Sequence, residues 1–159
     1  MVRKQAGYSL LELMVAVAVM TVIATMSIPS YHQSIIRAQI GEAVEMAKPL
    51  TLDIEKYYRV HHRFPESNEV AGIPSPEKLI GNFVSQIALS DGALHISFGN
   101  HANKIIEGEV LSLRPLIVPD SPRSPISWGC GLRGSPKGMD AVGQNRTSLK
   151  REFLPFDCF

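Results

Sequence analysis

Gly7-Tyr8-Ser9-Leu10-Leu11-Glu12-Leu13 runs directly into Met14-Val15-Ala16-Val17-Ala18-Val19-Met20-Thr21-Val22-Ile23-Ala24-Thr25-Met26-Ser27-Ile28. From Leu10 to Ile28 the chain carries enough apolar residues to cross the hydrocarbon core of a bilayer as a helix, with one carboxylate, Glu12, near its start. A secretory signal is cut beyond its apolar core and discards it. Here the basic leader Met1-Val2-Arg3-Lys4-Gln5-Ala6-Gly7 comes first, and the evident processing point, between Gly7 and Tyr8, precedes the apolar run. Cutting there retains the run, so the rest of the chain reads as cargo on an apolar helix.

A short basic leader ending in Gly, an aromatic first residue, a Glu four positions later and then an apolar helix resemble the type IV pilins and the related secretion pseudopilins. The resemblance is carried by Gly7, Glu12, the helix and Pro29, and departs at Tyr8, where Phe is usual. It implies removal of residues 1–7 by a prepilin peptidase and N-methylation of Tyr8. It further implies a helix over 8–28 that spans the inner membrane and then enters a filament core, and a periplasmic, later extracellular, head over 29–159. The implied partners are other pilin subunits in a helical homopolymer, the peptidase, the inner-membrane pilus assembly machinery, and the membrane itself before assembly.

Glu12 fits this on physical grounds. A carboxylate within a bilayer costs about 2.5–3.5 kcal/mol on insertion scales, so it requires a partner or a role. Cleavage after Gly7 creates an α-ammonium on Tyr8, and the Glu12 of one chain pairing with the Tyr8 amine of the next would set the axial step of an assembling fibre. The plainer reading has Glu12 snorkelling to the headgroups from the membrane edge.

At 159 residues the chain accommodates one domain and an anchor. Its formal charge is +1, and losing Arg3 and Lys4 makes it −1, so no overall basic balance points to nucleic acid. Arg3 and Lys4 place the amino end in the cytoplasm and the remainder across the membrane. In that oxidising compartment Cys130 and Cys158, the two cysteines of the chain, are expected to form a disulfide.

Pro29 should kink or locally melt the helix, which then resumes with Ile40, Ala43, Ala47, Leu50, Ile54 and Tyr57 at steps of three and four, defining one buried stripe. Pro49 is expected to bend this half, the alternative being two helices broken at Lys48-Pro49. The helix should end between Arg59 and Arg63, because Phe64-Pro65 forces extended backbone. A surface loop is expected over 66–78. From 83 the period becomes two: 83–89 and 93–98 alternate around Asp91-Gly92 and read as a hairpin, with further strands over 109–114 and 125–130. The expected fold is α+β, a long helix with an apolar first half and an amphipathic second half, packed on a four-stranded antiparallel sheet.

Pro125-Ile126-Ser127-Trp128-Gly129-Cys130 and Phe153-Leu154-Pro155-Phe156-Asp157-Cys158 also resemble the disulfide-bounded region of Gram-negative pilins, a bridge that pseudopilins commonly lack. Within it Arg133, Lys137, Arg146, Lys150 and Arg151 are basic, and Arg146, Lys150 and Arg151 are the candidate contacts to DNA or another anionic surface. Such a run also fits a solvated face.

Catalysis has no support in the pattern. Adjacent His61 and His62 point to different helix faces, His32, His95 and His101 are scattered, and two cysteines make no four-thiolate site. No phosphate-binding glycine loop or nucleophile elbow occurs, so neither an enzyme nor a cofactor or metal is expected. The function expected is a structural subunit of a type IV pilus (fimbrium) serving twitching motility, cell adhesion or DNA uptake. A minor or competence pilin that binds DNA, or a type II secretion pseudopilin, are the alternatives.

Overall fold

The computed structural model describes residues 7–159, the side chains of 26–30 excepted. One helix, α1, runs Leu10–His61 without interruption, so the local melting expected before Pro29 and the break considered at Lys48-Pro49 do not occur. Pro49 is tolerated because it lies on the exposed side of α1, where the carbonyl that loses its partner is available to water, while Thr51 Oγ1 donates back to Lys48 O at 2.7 Å. The helix stops at His62, whose φ of 54° is left-handed and whose N–H donates to Tyr58 O at 2.8 Å, immediately before Phe64-Pro65.

The described residues up to Ile35 and residues 36–159 fall into two compact units. In the second, the stripe of α1 begins one turn earlier than the periodicity suggested, with Ile36, and continues through Ile40, Ala43, Ala47, Leu50 and Ile54, all buried. Tyr57, the last residue of the expected stripe, is half-buried and tilts against the His61 ring at 4.2 Å.

The segment after α1 is more structured than a plain loop. A short helix α2, Asn68–Ala71, is capped by Ser67 and closed by Gly72 at φ 71°, and a 3-10 turn spans Pro76–Lys78. The strands are β1 Val84–Ser90, β2 Ala93–Phe98, β3 Val110–Ile117, β4 Ser127–Cys130 and β5 Asp140–Ala141. They form an antiparallel, open sheet in the order β1-β2-β3-β4, with β5 pairing the far end of β3 as a fifth strand not expected from the sequence.

Asp91 and Gly92 take φ of 49° and 84° and connect the Ser90–Ala93 pair, the two-residue turn whose twist matches the strands. Gly92 is doubly required, since an added Cβ would sit 2.8 Å from Phe64 Cβ. Strand β3 continues past Arg114 through Pro115. The Pro115 carbonyl accepts from Val142 N–H at 2.9 Å, so the missing Pro115 donor faces a position where β2, paired only to Leu113, has ended.

Ile87, Leu89, Leu94, Ile96, Phe98, Leu111 and Leu113 form one core with the α1 stripe. The opposite face of β2 and β3 is covered by residues 142–149, which run from the β5 side of β3 to its β4 side. Along this strap Arg146 N–H donates to Ser112 Oγ at 2.8 Å, Ser112 N–H to Thr147 Oγ1 at 3.1 Å, and Val110 N–H to Ser148 Oγ at 2.9 Å. Coverage on both faces explains why His95 and Ser112 are buried together with their apolar neighbours.

Candidate functional site

Gly7, Tyr8 and Ser9 precede α1 in non-helical backbone, and helical bonding begins with Leu13 N–H to Ser9 O at 3.1 Å. Tyr8 is 86% exposed, and the position of an added Cβ on Gly7 has no atom within 4 Å. Gly7 and Tyr8 are therefore both exposed in non-helical backbone. Glu12 lies exposed in the first turn of α1, where the unpaired backbone N–H groups of a helix start favour a carboxylate.

Beyond it, Leu10, Leu11, Leu13, Met14, Val15, Val17, Val19, Met20, Val22 and Ile23 are each 53–76% exposed. A helix that is apolar all round is built to be covered by lipid or by other helices. Its hydroxyls are consistent with that, since Thr21 Oγ1 donates to Ala18 O and Thr25 Oγ1 to Val22 O, each at 2.8 Å, returning polarity to the helix's own backbone. Among the described residues no helix is long and apolar enough to cross a membrane. The described apolar run ends at Thr25, and the side chains that complete the span expected over 8–28 lie outside the described residues.

At the other end of the chain, Cys130 and Cys158 are joined by a disulfide, as expected. Leu132 N–H donates to Cys158 O at 2.8 Å and Asn145 Nδ2 to Gly131 O at 2.8 Å, so the bridge is the centre of a larger clip. Gly131 has φ 61°, and an added Cβ would lie 2.6 Å from Cys158 O, which leaves no residue but glycine at that point.

The basic residues of this region make different local contacts. Arg146 reaches toward the hairpin, with Nε donating to Gln144 Oε1 at 3.3 Å and Nη2 to Ser90 Oγ at 3.4 Å. Arg133 and Arg151 engage the carboxyl tail instead, Arg133 Nη1 donating to Asp157 O at 3.4 Å and the Arg151 guanidinium standing 5.3 Å from the centroid of the Phe159 ring. Lys137 and Lys150 are exposed.

Thr51, Asn68, His95 and Ser112 are buried polar residues, none of them singled out by local patterns. Asn68 donates from Nδ2 to Pro74 O and Ile87 O at 2.8 and 3.1 Å, and accepts from Leu89 N–H at 2.7 Å. His95 Nδ1 shares a 2.9 Å hydrogen bond with Ser112 Oγ. Burial, reinforced by the nearby Arg146 cation, lowers the His95 pKa to about 4. The Ser67 cap followed by Gly72 was the available signal for Asn68; for His95 the signal was a polar residue amid the apolar run of β2. Among the described residues, no group of His, Cys, Asp and Glu could hold a metal ion.

The architecture agrees with the comparisons to known proteins. Residues 36–159 match the family model Pilin (bacterial filament), and residues 2–28 match the prokaryotic N-terminal methylation motif. The chain is 30% identical to a type IV major pilin protein, PilE1, of Neisseria gonorrhoeae, over 97% of this chain and 87% of the relative. It is 27% identical to a fimbrial protein of Neisseria meningitidis serogroup B, over 97% and 94%, and 25% identical to the fimbrial protein EcpC of Eikenella corrodens, over 89% and 92%. With an apolar amino-terminal helix, an α+β head, a carboxy-terminal disulfide clip and both family matches in sequence order, the chain belongs to the type IV pilins, a family of bacterial filament subunits.

Proposed function

We propose that this chain is a structural subunit of a surface pilus that polymerises through its amino-terminal helix. The observation that carries the reading is the contrast between a head with its own buried core and a preceding helix that is apolar on every face and exposed. Such a helix is covered by lipid before assembly and by copies of itself afterwards. On this reading a prepilin peptidase of the inner membrane cuts the Gly7–Tyr8 bond, Tyr8 is N-methylated, and the pilus assembly machinery extracts the subunit to the cell surface.

In the resulting apolar core the Glu12 carboxylate and the Tyr8 ammonium of an adjacent subunit neutralise each other. Removing one partner of such a pair leaves a desolvated charge, at a cost of about 3–5 kcal/mol, so the pair acts as a register lock between subunits. The role is structural, without catalysis, and serves motility or adhesion.

Intact-mass spectrometry of filaments sheared from cells that make this chain, with and without reductant, tests it. The expected subunit begins at Tyr8, is heavier by one methyl group and is two hydrogens lighter before reduction than after. Filaments that lack this chain, or contain it with residues 1–7 attached, would overturn the reading.

A further inference from the structure

The carboxyl end of α1 and the β3–β4 connection enclose a cavity of about 400 Å³ lined by Tyr58, Arg59, His62, Arg123 and Ser124, with Pro122, Pro125 and Ile126 as apolar wall. No carboxylate lines it. Among the described residues no hydrogen bond or ion pair engages Arg123. Arg59 has only a long contact, 3.8 Å from Nη2 to Glu55 Oε2, and the other Glu55 oxygen is taken by Trp128 Nε1. Two arginines thus line one concavity with the long Glu55 contact as their one ion pair among the described residues, and their charge outweighs the roughly half negative charge at a helix carboxyl end.

The walls are held in place before any ligand arrives. The Tyr58 ring stacks on Phe64 at 4.4 Å. Ser124 N–H donates to Ser121 O at 3.0 Å and the two hydroxyls share a 2.9 Å hydrogen bond, which closes the turn that carries Arg123 between two prolines. Planar guanidinium forks suit carboxylate and phosphate oxygens, while the proline, isoleucine and tyrosine surfaces suit the C–H face of a ring. The volume is that of a small-ligand site rather than of a groove that tracks a polymer.

We propose that this cavity binds an acidic monosaccharide unit, a sugar ring bearing one carboxylate or phosphate group. Arg59 and Arg123 hold the anion, Ser124 and His62 meet ring hydroxyls, and Tyr58 with Ile126 packs the apolar face of the sugar. This goes beyond polymerisation and does not depend on it, because every lining residue belongs to the head.

Calorimetric titration of the full chain in detergent micelles with glucuronate, glucose 6-phosphate, glucose and inorganic phosphate tests the assignment. Glucuronate or glucose 6-phosphate, or both, should bind saturably, and at least about tenfold more tightly than glucose or inorganic phosphate. The comparison between the two sugars identifies which anion the site takes. Arg123→Ala should weaken that binding by about tenfold or more with unchanged circular dichroism, and Arg123→Lys by less, while Lys137→Ala, a cation elsewhere on the head, should leave it unchanged. No saturable binding of either sugar acid, equal binding of inorganic phosphate, or binding that survives Arg123→Ala would overturn it.

Discussion

Trp128 Nε1 donates a 2.9 Å hydrogen bond to Glu55 Oε1, joining β4 to the carboxyl-terminal half of α1 across 73 residues of sequence. One four-residue strand from the disulfide end of the chain and a helix from its beginning meet at this bond. Glu55→Ala leaves a half-buried indole donor unpaired and should cost about 1–2 kcal/mol, with Glu55→Gln, which keeps an acceptor, losing less. Trp128 is the single tryptophan, so urea unfolding followed by its emission reads both variants without a label.

Asn68 occupies the outer edge of β1 as a substitute strand, satisfying Ile87 O and Leu89 N–H at once. Asn68→Ala strands these groups and Pro74 O, and the expected loss is about 3 kcal/mol in chemical denaturation. Asn68→Asp should also destabilise, because a carboxylate cannot donate to the two carbonyls.

For His95, burial first and the Arg146 cation second lower the folded pKa from 6.5 to about 4. The unfolded chain therefore binds more protons between those values. The contribution of neutral His95 is fully present above pH 6.5 and is lost as pH falls through about 4, a decline of about 3 kcal/mol at most. Thermal melts of the wild type and His95→Gln across that window should show the variant with the flatter profile.

The clip closes a loop with a sequence separation of 28. On loop entropy, Cys130→Ser with Cys158→Ser should cost about 3–4 kcal/mol. Gly131→Ala should be comparably damaging with the disulfide intact, since an L side chain there meets Cys158 O; melting temperatures with and without reductant separate the two effects.

Glu12→Ala removes a charge from the apolar segment. Membrane insertion should be retained or eased while filament yield falls sharply, measured by fractionation and by shearing; normal yield would discard the pairing with Tyr8. Alanine at Arg146, Lys150 and Arg151 together should leave DNA affinity and its salt slope nearly unchanged, because Arg146 and Arg151 address different parts of the head.

Local periodicity sufficed for the elements whose physics is local. The α1 stripe from Ile40 to Ile54, the Asp91-Gly92 hairpin and the stop at Phe64-Pro65 each follow from residues within a few positions of one another. The missing pieces all depend on distant partners. Ile36 is buried by elements far along the chain, β3 passes through Pro115 because β2 ends beside it, and β5 is two residues long and exists through its partner. The basic residues after Gly131 lie in one stretch of sequence, but their contacts are set by distant partners, Ser90 for Arg146 and Phe159 for Arg151. Arg59 and Arg123 lie in separate segments, and only the tertiary fold makes them neighbours of one cavity.

The Asn68 bonds to β1 have a consequence for heads crowded along a fibre. An open sheet edge invites lateral strand pairing with its neighbour, which would gum assembled subunits into irreversible aggregates. With Ile87 O and Leu89 N–H already engaged, and the opposite edge strand β4 only four residues long, the head offers little template for that pairing. In the proposed fibre, neighbouring heads therefore meet without strand pairing along these edges and stay separate folded units as subunits are added or removed.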